Sequence, residues 1–350
     1  VSTGTETGQD TAKSIIPEAK TFFLPLDFPE FVRRVVQRIR PDVFVLMETE
    51  LWPNLLHYLK ASGADIVLAN GRISDRSYPR YRFMRPFFAD TLAHIDLFLM
   101  ASELDAQRIE KIGARRDRIL VTGNTKFDAV RSDIESSARE HIARLVNLEP
   151  GARVLVAGST HAGEEEIVLD AYKELLEEFP DLVLVLAPRH VERSEDVANL
   201  IAQEKGLPAP FLRSMADRGA TREKGQIVVW DRTGELKDVY SAATVVFVGG
   251  SLVPKGGQNI IEPAIWEKTV MFGPSMEDFR DARDILLRCG AGIEVQGASD
   301  IAVAVRRVFN EPDKHAHAAR KGREALLSNQ GSARRDALII ADRVRARGTR

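Results

Sequence analysis

The sequence has little of several features that would narrow its function. Its 350 residues include one cysteine, Cys289, so no disulfide can form within the chain, which is typical of a reducing compartment. No apolar run approaches the ~18–20 residues that a membrane-spanning helix needs. The formal net charge of −2 gives no overall attraction to nucleic acid. These absences exclude a disulfide-stapled domain and a strongly basic nucleic-acid binder.

Common catalytic constellations are also missing. The seven histidines are scattered, and His315 and His317 lie on a polar helical stretch, so no metal-ligand spacing emerges. No Ser-His-Asp set can be assigned, and no G-x-x-x-x-G-K-[ST] phosphate loop is present. We therefore expect no metal site.

The order of elements predicts an α/β fold. Apolar runs typical of buried parallel strands lie at residues 42–47, 66–69, 96–101, 119–122, 153–157, 182–187, 227–230, 244–248, 269–272 and 292–295. Helical patterns separate them, for instance at residues 55–60, 164–178 and 194–204. The stretch NLEPG at residues 147–151 favours a domain boundary. We expect two Rossmann-like domains, residues 1–148 and 149–350, that face each other across a cleft.

The segment GGSLVPKGGQNIIE, residues 249–262, carries the strongest functional signal. It follows a predicted strand, and its glycines allow a sharp turn or a close approach to a ligand. A helix start near Ile260 favours a bound phosphate, and Glu262 is placed to accept hydrogen bonds from ribose hydroxyls. The alternative is a plain turn in which Asn259 is the N-cap and Glu262 completes a near capping box.

Ligands of such folds bind at the carboxyl ends of the strands, and three other predicted strands end in suitable residues. Ser159 or Thr160 would contact a phosphate or merely cap the next helix. Pro188-Arg189 would hold a phosphate, unless Arg189 is only an exposed loop residue. The turn Thr233-Gly234-Glu235 would read a nucleobase edge or be an ordinary turn.

The first predicted domain has its own charged cluster. Glu48 and Glu50 end a strand, where one carboxylate would act on a positively charged transition state, whereas Glu50 would alternatively cap the next helix. Lys126 follows the last strand and offers an ammonium group to an anion, although a single lysine is usually just solvated.

The stretch from Arg72 to Phe88 contains five arginines, one aspartate and five aromatic residues. This mixture suits an anionic surface with apolar character, such as lipid head groups above acyl chains. A solvated loop and helix with inward-packed aromatics fits equally well. Single-stranded nucleic acid would need a similar mixture, but the near-neutral total charge disfavours it.

Taken together, the motifs resemble one family over nearly the whole chain. METELWPN, NGRISDRS, GNTKFD, GSTHAGEEE, APRH, GEL and GGSLVPKGGQNIIEP occur in the order expected for 3-deoxy-D-manno-octulosonic acid (Kdo) transferases. The resemblance implies two Rossmann-like domains in the GT-B arrangement. It also implies transfer of Kdo from the donor CMP-Kdo to the lipid A precursor at the cytoplasmic face of the inner membrane, without a cofactor.

The resemblance also implies roles for individual residues. The CMP-binding segments match Pro188, Arg189, Thr233, Gly234, Glu235, Asn259, Ile260, Ile261 and Glu262. Glu48 and Lys126 match a pair that stabilises the transition state, and residues 72–88 would lie near the acceptor lipid. The implied reaction is an inverting displacement in which a sugar hydroxyl attacks the anomeric carbon of Kdo as CMP leaves.

One feature of the family has no match here. Its members carry a membrane anchor and then a Gly-Glu motif whose glutamate is the general base, and Val1 aligns beyond that motif. We therefore expect a chain that lacks its natural beginning, binds CMP and transfers Kdo poorly or not at all. The alternatives are a UDP-sugar glycosyltransferase or epimerase of the same architecture, or a CMP-binding module without catalysis.

Overall fold

The computed structural model describes residues 1–129 and 136–348. The chain divides into two compact units, one made of Val1–Thr125 with Gly331–Arg350 and one made of Lys126–Gln330. Each unit contains its own parallel β-sheet and its own hydrophobic cores.

The first unit has two parallel sheets, one of two strands and one of four. Its strands are β1 (Ser2–Thr3), β2 (Phe22–Phe23), β3 (Val43–Met47), β4 (Asp65–Gly71), β5 (Leu97–Met100) and β6 (Ile119–Val121). The helices in its N-terminal segment are α1 (Glu6–Ile15), α2 (Pro29–Ile39), α3 (Pro53–Ala61), α4 (Tyr78–Phe83), α5 (Arg85–Ala93) and α6 (Glu103–Ile112). The larger sheet has the order β3-β4-β5-β6, and β1 pairs with β2.

The second unit is built on a seven-stranded parallel sheet. Its strands are β7 (Val154–Thr160), β8 (Val183–Pro188), β9 (Phe211–Leu212), β10 (Val228–Val229), β11 (Val245–Val248), β12 (Thr269–Phe272) and β13 (Gly292–Glu294). Its helices are α7 (Ser136–Leu145), α8 (Glu164–Leu176), α9 (Ser194–Gln203), α10 (Arg213–Ala216), α11 (Leu236–Ala242), α12 (Ile261–Ile265), α13 (Arg280–Cys289), α14 (Ala298–Asn310) and α15 (Pro312–Leu327). The last helix of the chain, α16 (Ser332–Gly348), belongs to the first unit.

The strand order of the seven-stranded sheet defines where a ligand can bind. The order is β13-β12-β11-β7-β8-β10-β9, so the chain moves away from β7 in one direction and then returns to add β11 on its other side. Separate apolar cores cover the two faces of the sheet, which is why its strands are apolar throughout rather than alternating. The reversal between β7 and β11 is a topological switch point, where doubly wound sheets leave a crevice at the carboxyl ends.

The two-unit α/β prediction is confirmed, since both units are Rossmann-like with parallel strands. Every strand predicted from the sequence is present within two residues at each end, except that β7 continues three residues beyond the predicted end at residue 157. The two-residue strands β1, β2 and β9 were not predicted, whereas the equally short β10 was, because it lies within the apolar run of residues 227–230.

The division between the units differs from the predicted boundary after residue 148. Helix α7 already packs Ile142 into a core of the second unit. At the other end, α16 places Ile339 and Ile340 against β4 and β5 of the first unit. Both helices are amphipathic, and nothing in an amphipathic pattern says which sheet its apolar face will cover.

Candidate functional site

The carboxyl ends of β7 and β11 lie against each other at the switch point. Gly249 donates its N–H to the carbonyl oxygen of Gly158 at 2.9 Å. A Cβ on Gly249 would lie 2.5 Å from the carbonyl oxygen of Ser159 and 2.5 Å from the Cα of Thr160. Only glycine fits there, so the close-approach interpretation of Gly249 holds for protein backbone rather than for a ligand.

The turn that follows β11 is held by a carboxylate of the chain itself. Glu164, at the start of α8, is fully buried and accepts the N–H groups of Gly250 at 2.7 Å, Ser251 at 3.0 Å and Leu252 at 2.9 Å. It also accepts the N–H of His161 at 2.9 Å. These amides are therefore not available to a phosphate.

The second glycine pair leads to donors that remain open. Gly257 donates to the carbonyl oxygen of Gly250 at 2.9 Å, and Gly256 donates to Ser275 Oγ at 3.0 Å. Within the described parts of the chain, the next three N–H groups, those of Gln258, Asn259 and Ile260, have no protein acceptor. The phosphate expected at this segment therefore has its free donors after the second glycine pair.

Asn259 and Glu262 adopt an arrangement close to the predicted cap. Asn259 Oδ1 accepts the N–H of Ile261 at 3.0 Å, and Asn259 Nδ2 donates to Glu262 Oε1 at 3.0 Å. The N-cap residue is Ile260 rather than Asn259, and α12 has only five residues, so its macrodipole is small. Burial raises the pKa of Glu262, while the bond from Asn259 and the charge of Lys237 act against that rise.

A buried tyrosine joins this carboxylate to the end of β7. Tyr240 on α11 is fully buried, its hydroxyl hydrogen bonds with Ser159, and its pKa is raised by burial and by the charge of Glu262. Ser159 itself has a φ of 56°. Neither Ser159 nor Thr160 caps α8, because the N-cap is Gly163, so that interpretation is wrong. Thr160 Oγ1 is buried without a hydrogen-bond partner.

The remaining predicted CMP residues lie at the ends of neighbouring strands. Arg189 follows β8, its N–H bonds the carbonyl oxygen of Thr160 at 2.9 Å, and its side chain is exposed. Pro188 is buried as the last residue of that strand. Thr233 and Gly234 form an exposed turn before α11.

The side chain of Glu235 is held by a hydrogen bond and an ion pair within the second unit. Its carboxylate accepts the indole N–H of Trp230 at 3.1 Å and pairs with the buried Arg213 at 3.2 Å. This arrangement holds the turn in place. Thr233 and Gly234 remain exposed to solvent, and Glu235 is half-buried.

Lys126 and Glu48 belong to different units. Lys126 Nζ donates to the carbonyl oxygen of Asp278 at 2.9 Å and lies 4.4 Å from the ring centre of Phe279. Asp278 in turn donates its N–H to the carbonyl oxygen of Gly256, so Lys126 is held near the second glycine pair. Glu48 is exposed after β3 with a φ of 55°, a left-handed conformation that is uncommon for glutamate.

Glu50 does not cap α3, so that alternative is wrong. The cap comes from Asp27, whose carboxylate accepts the N–H of Asn54 at 3.0 Å and of Leu55 at 2.9 Å. Asp27 lies 27 positions before Asn54, and no local signal in the sequence connects them.

Residues 72–88 divide between the two interpretations. Tyr78, Tyr81 and Phe88 pack on the core of the first unit. Phe83 is 89% exposed, and Met84 and Phe87 are 43% and 51% exposed.

No helix in the described ranges, 1–129 and 136–348, is long and apolar enough to cross a membrane. Within those same ranges, no group of three or more His, Cys, Asp or Glu side chains is placed to hold a metal ion.

Comparison with known proteins identifies the family. The family model for 3-deoxy-D-manno-octulosonic-acid transferase (kdotransferase) matches residues 1–129. The 3-deoxy-D-manno-octulosonic acid transferase of Haemophilus influenzae is 32% identical over 336 residues, which cover 95% of this chain and 77% of that protein. The chain belongs to the Kdo transferase family. The predicted resemblance and the prediction of a glycosyltransferase are thereby confirmed.

Two further relatives add detail. A bifunctional glycosyltransferase/methyltransferase of Fusobacterium nucleatum is 33% identical over 314 residues, 89% of this chain, and the chain spans 48% of that protein's length. The crystal structure of the C-terminal CMP-Kdo binding domain of WaaA from Acinetobacter baumannii is 28% identical with a TM-score of 0.50. It covers 55% of this chain and 99% of that domain.

More distant structures show the fold alone. A glycosyltransferase from Rickettsia africae has a TM-score of 0.66 at 12% identity, over 98% of this chain and 89% of that one. This likeness agrees with the GT-B fold class that the Kdo transferase resemblance implied.

Sequence reasoning missed three residues that hold loops and helix starts in place: Glu164 and Tyr240 in the second unit and Asp27 in the first. Glu164 entered the sequence analysis only within the motif GSTHAGEEE and the helical stretch 164–178, and neither Tyr240 nor Asp27 was singled out. Glu164 bonds residues that lie 86 to 88 positions away in the sequence. Tyr240 lies beside Gly158, which is 82 positions away. No local motif can therefore mark either residue. The one usable signal was the acidic run Glu164-Glu165-Glu166, in which two carboxylates are buried.

Proposed function

We propose that the chain acts in the transfer of Kdo from CMP-Kdo to the lipid A precursor, lipid IVA, in the biosynthesis of the lipopolysaccharide core, and that its transfer is slow because none of its residues matches the family's general base. The observation that carries this proposal is the meeting of the β7, β8 and β11 ends, Tyr240 and Glu262 at one edge of the second unit's sheet. The likeness of this unit to a solved CMP-Kdo binding domain supports the same donor.

In the proposed donor site each part of CMP meets a different group. Arg189, exposed and without an acidic partner in the described residues, pairs with the phosphate together with the N–H groups after Gly257. The carboxylate of Glu262 accepts hydrogen bonds from the ribose hydroxyls. The backbone of Thr233-Gly234-Glu235 contacts the edge of the cytosine.

The proposed reaction is a single inverting displacement. The acceptor sugar hydroxyl attacks the anomeric carbon of Kdo, the bond to the phosphate oxygen breaks, and CMP leaves with that electron pair. Positive charge from Arg189 and the open N–H groups stabilises the departing phosphate, so the proposed step needs no metal or cofactor. Glu48 and Lys126 stabilise the transition state, and the general base is not assigned to a residue of this chain.

We further propose that residues 72–88 meet the acceptor at the cytoplasmic face of the inner membrane. Phe83 and Phe87 point apolar rings outward, and exposed arginines flank them, among them Arg80, Arg82 and Arg85. Arginines suit lipid head groups, and exposed rings suit the acyl boundary. Replacing both Phe83 and Phe87 with serine should lower binding to anionic lipid vesicles in cosedimentation. Leu338→Ser is the control, because it removes an apolar side chain that is 55% exposed on α16. This variant should bind the vesicles as well as the wild type does.

Calorimetric titration of CMP into the chain, with UMP and UDP titrated separately as controls, tests which nucleotide the donor carries. We expect CMP to bind more tightly than UMP or UDP. Loss of a charge-assisted pair costs about 1.5–3 kcal/mol, so Arg189→Ala should weaken CMP binding about 10–100-fold. Arg288→Ala is the matched control, because Arg288 is equally exposed but lies before the amino end of β13.

The other outcomes point to the alternatives. Preference for UDP would favour a UDP-sugar glycosyltransferase or epimerase. Selective CMP binding with no Kdo transfer to lipid IVA would favour a binding module without catalysis. Absence of binding to any of the three nucleotides would refute the proposed function.

A further inference from the structure

Glu164 holds more of the proposed donor site than its place in a helix requires. In the first turn of α8, Glu164 accepts one local hydrogen bond, from the N–H of His161. Its three other bonds, from Gly250, Ser251 and Leu252, join α8 to the turn after β11. The side chain is fully buried, and a buried carboxylate is stable only when donors surround it.

The turn that Glu164 holds supports the turn that contains the open donors. The carbonyl oxygen of Gly250 accepts the N–H of Gly257 at 2.9 Å. A Cβ on Gly250 would also lie 3.1 Å from Cγ of Gln258, so the two turns are in direct contact. Movement of Gly250 would therefore shift Gly257 and the N–H groups that follow it.

We infer that Glu164 is a positioning residue for the donor nucleotide, acting through the Gly250–Gly257 hydrogen bond on the N–H groups of Gln258, Asn259 and Ile260. Because its carboxylate already accepts the N–H groups of Gly250–Leu252, it also directs the donor phosphate to the open N–H groups that follow the second glycine pair. This inference rests on the proposed function for the identity of the nucleotide.

Glu164→Gln tests it with little change of volume. The amide turns two donor hydrogens toward a ring of N–H donors and keeps a single acceptor oxygen. Glu165→Gln is the matched control. Glu165 is also buried on α8, but it pairs with Arg193 at 2.8 Å, and in the described parts of the chain no hydrogen bond joins its side chain to the glycine turns.

Two measurements on the full chain separate positioning from general stability. Amide hydrogen exchange should rise in Glu164→Gln for residues 250–252 and for Gly257, whose N–H bonds the carbonyl oxygen of Gly250, and should be unchanged at these positions in Glu165→Gln. Calorimetry should give at least tenfold weaker CMP binding in Glu164→Gln and less than a twofold change in Glu165→Gln, at a temperature where both are folded by circular dichroism.

Each failure has a separate meaning. Unchanged exchange at Gly257 in Glu164→Gln would overturn the relay whether or not CMP binds. Equal CMP affinity of Glu164→Gln and the wild type would overturn the positioning role and leave the proposed function standing. A wild-type chain that binds no CMP would refute the proposed function, and the exchange data would still decide the relay.

Discussion

Arg343 and Asp65 form a bidentate ion pair that joins the last helix of the chain to the first strand residue of β4. Arg343 Nη2 lies 2.8 Å from Asp65 Oδ1, and Nε donates to Oδ2. Burial alone would raise the pKa of Asp65, but the hydrogen bond and the charge of Arg343 outweigh it, so the pKa is lowered. The pair lies 278 positions apart in sequence and fixes α16 to the first unit.

Removal of this arginine should destabilise the first unit. We expect Arg343→Met to cost about 1–3 kcal/mol in urea unfolding, because the Asp65 carboxylate loses its main partner while partly buried. Because the folded pKa is depressed, the stabilisation is complete above the unfolded value of about 3.9 and is lost as pH falls through the folded pKa. The difference in stability between wild type and variant should therefore shrink as the pH falls below about 3.9.

Arg345→Met is the control for that experiment. Arg345 pairs with Asp342 on the same helix, and both side chains are about three-quarters exposed. We expect a change below about 0.5 kcal/mol. An equal loss in both variants would contradict the role of the Asp65 pair.

Glu262 should trade stability for binding. Burial raises its pKa, so a group of this kind favours the fold below its unfolded pKa and opposes it as pH rises through the folded value. Glu262→Gln keeps an acceptor for Asn259 but carries no charge. It should therefore raise the melting temperature at pH 7, have less effect near pH 4, and bind CMP about tenfold more weakly. A lower melting temperature at pH 7 would argue against this account.

Gly249→Ala should disturb the switch point. The added methyl carbon would lie 2.5 Å from backbone atoms of Ser159 and Thr160, which a packed core cannot absorb without a backbone shift. We expect a loss of about 1–3 kcal/mol in unfolding free energy. At Gly297 a Cβ meets nothing within 4 Å and φ is 176°, so Gly297→Ala should be close to neutral.

Glu48 should carry a conformational cost that its proposed role explains. A left-handed residue other than glycine costs about 1–2 kcal/mol, so Glu48→Gly should recover part of that in urea unfolding. The same variant should lower any Kdo transfer by about 10²-fold, since it removes a proposed transition-state carboxylate. Arg40→Gly removes a second left-handed side chain, at φ 45°, and should gain stability without loss of transfer.

The strands and the fold class were predictable because their signals are local. Runs such as residues 244–248 are apolar on both faces, and a parallel sheet covered on both sides requires that pattern wherever it sits. The helix start beside Asn259 was predictable for the same reason, since an Asx side chain followed by Glu262 acts within a single turn.

The caps show where local reasoning stops. Glu50, Ser159 and Thr160 all have the right chemistry for a helix start, yet Asp27 and Gly163 occupy those roles. A side chain 27 residues away competes on equal terms once the chain is folded, because a hydrogen bond depends on distance in space and not on sequence separation.

The sequence by itself determined the strands with extended apolar runs, helices such as those at residues 164–178 and 194–204, and the residue types at each strand end, because side-chain size, branching and backbone freedom act within a few residues. Only the tertiary structure decided that α16 returns to the first unit, that Glu164 fills the first glycine turn, and that the open N–H groups follow the second. Those outcomes depend on which buried charges find donors and which apolar faces meet. Such pairings form between residues that are distant in the chain, so no local pattern records them.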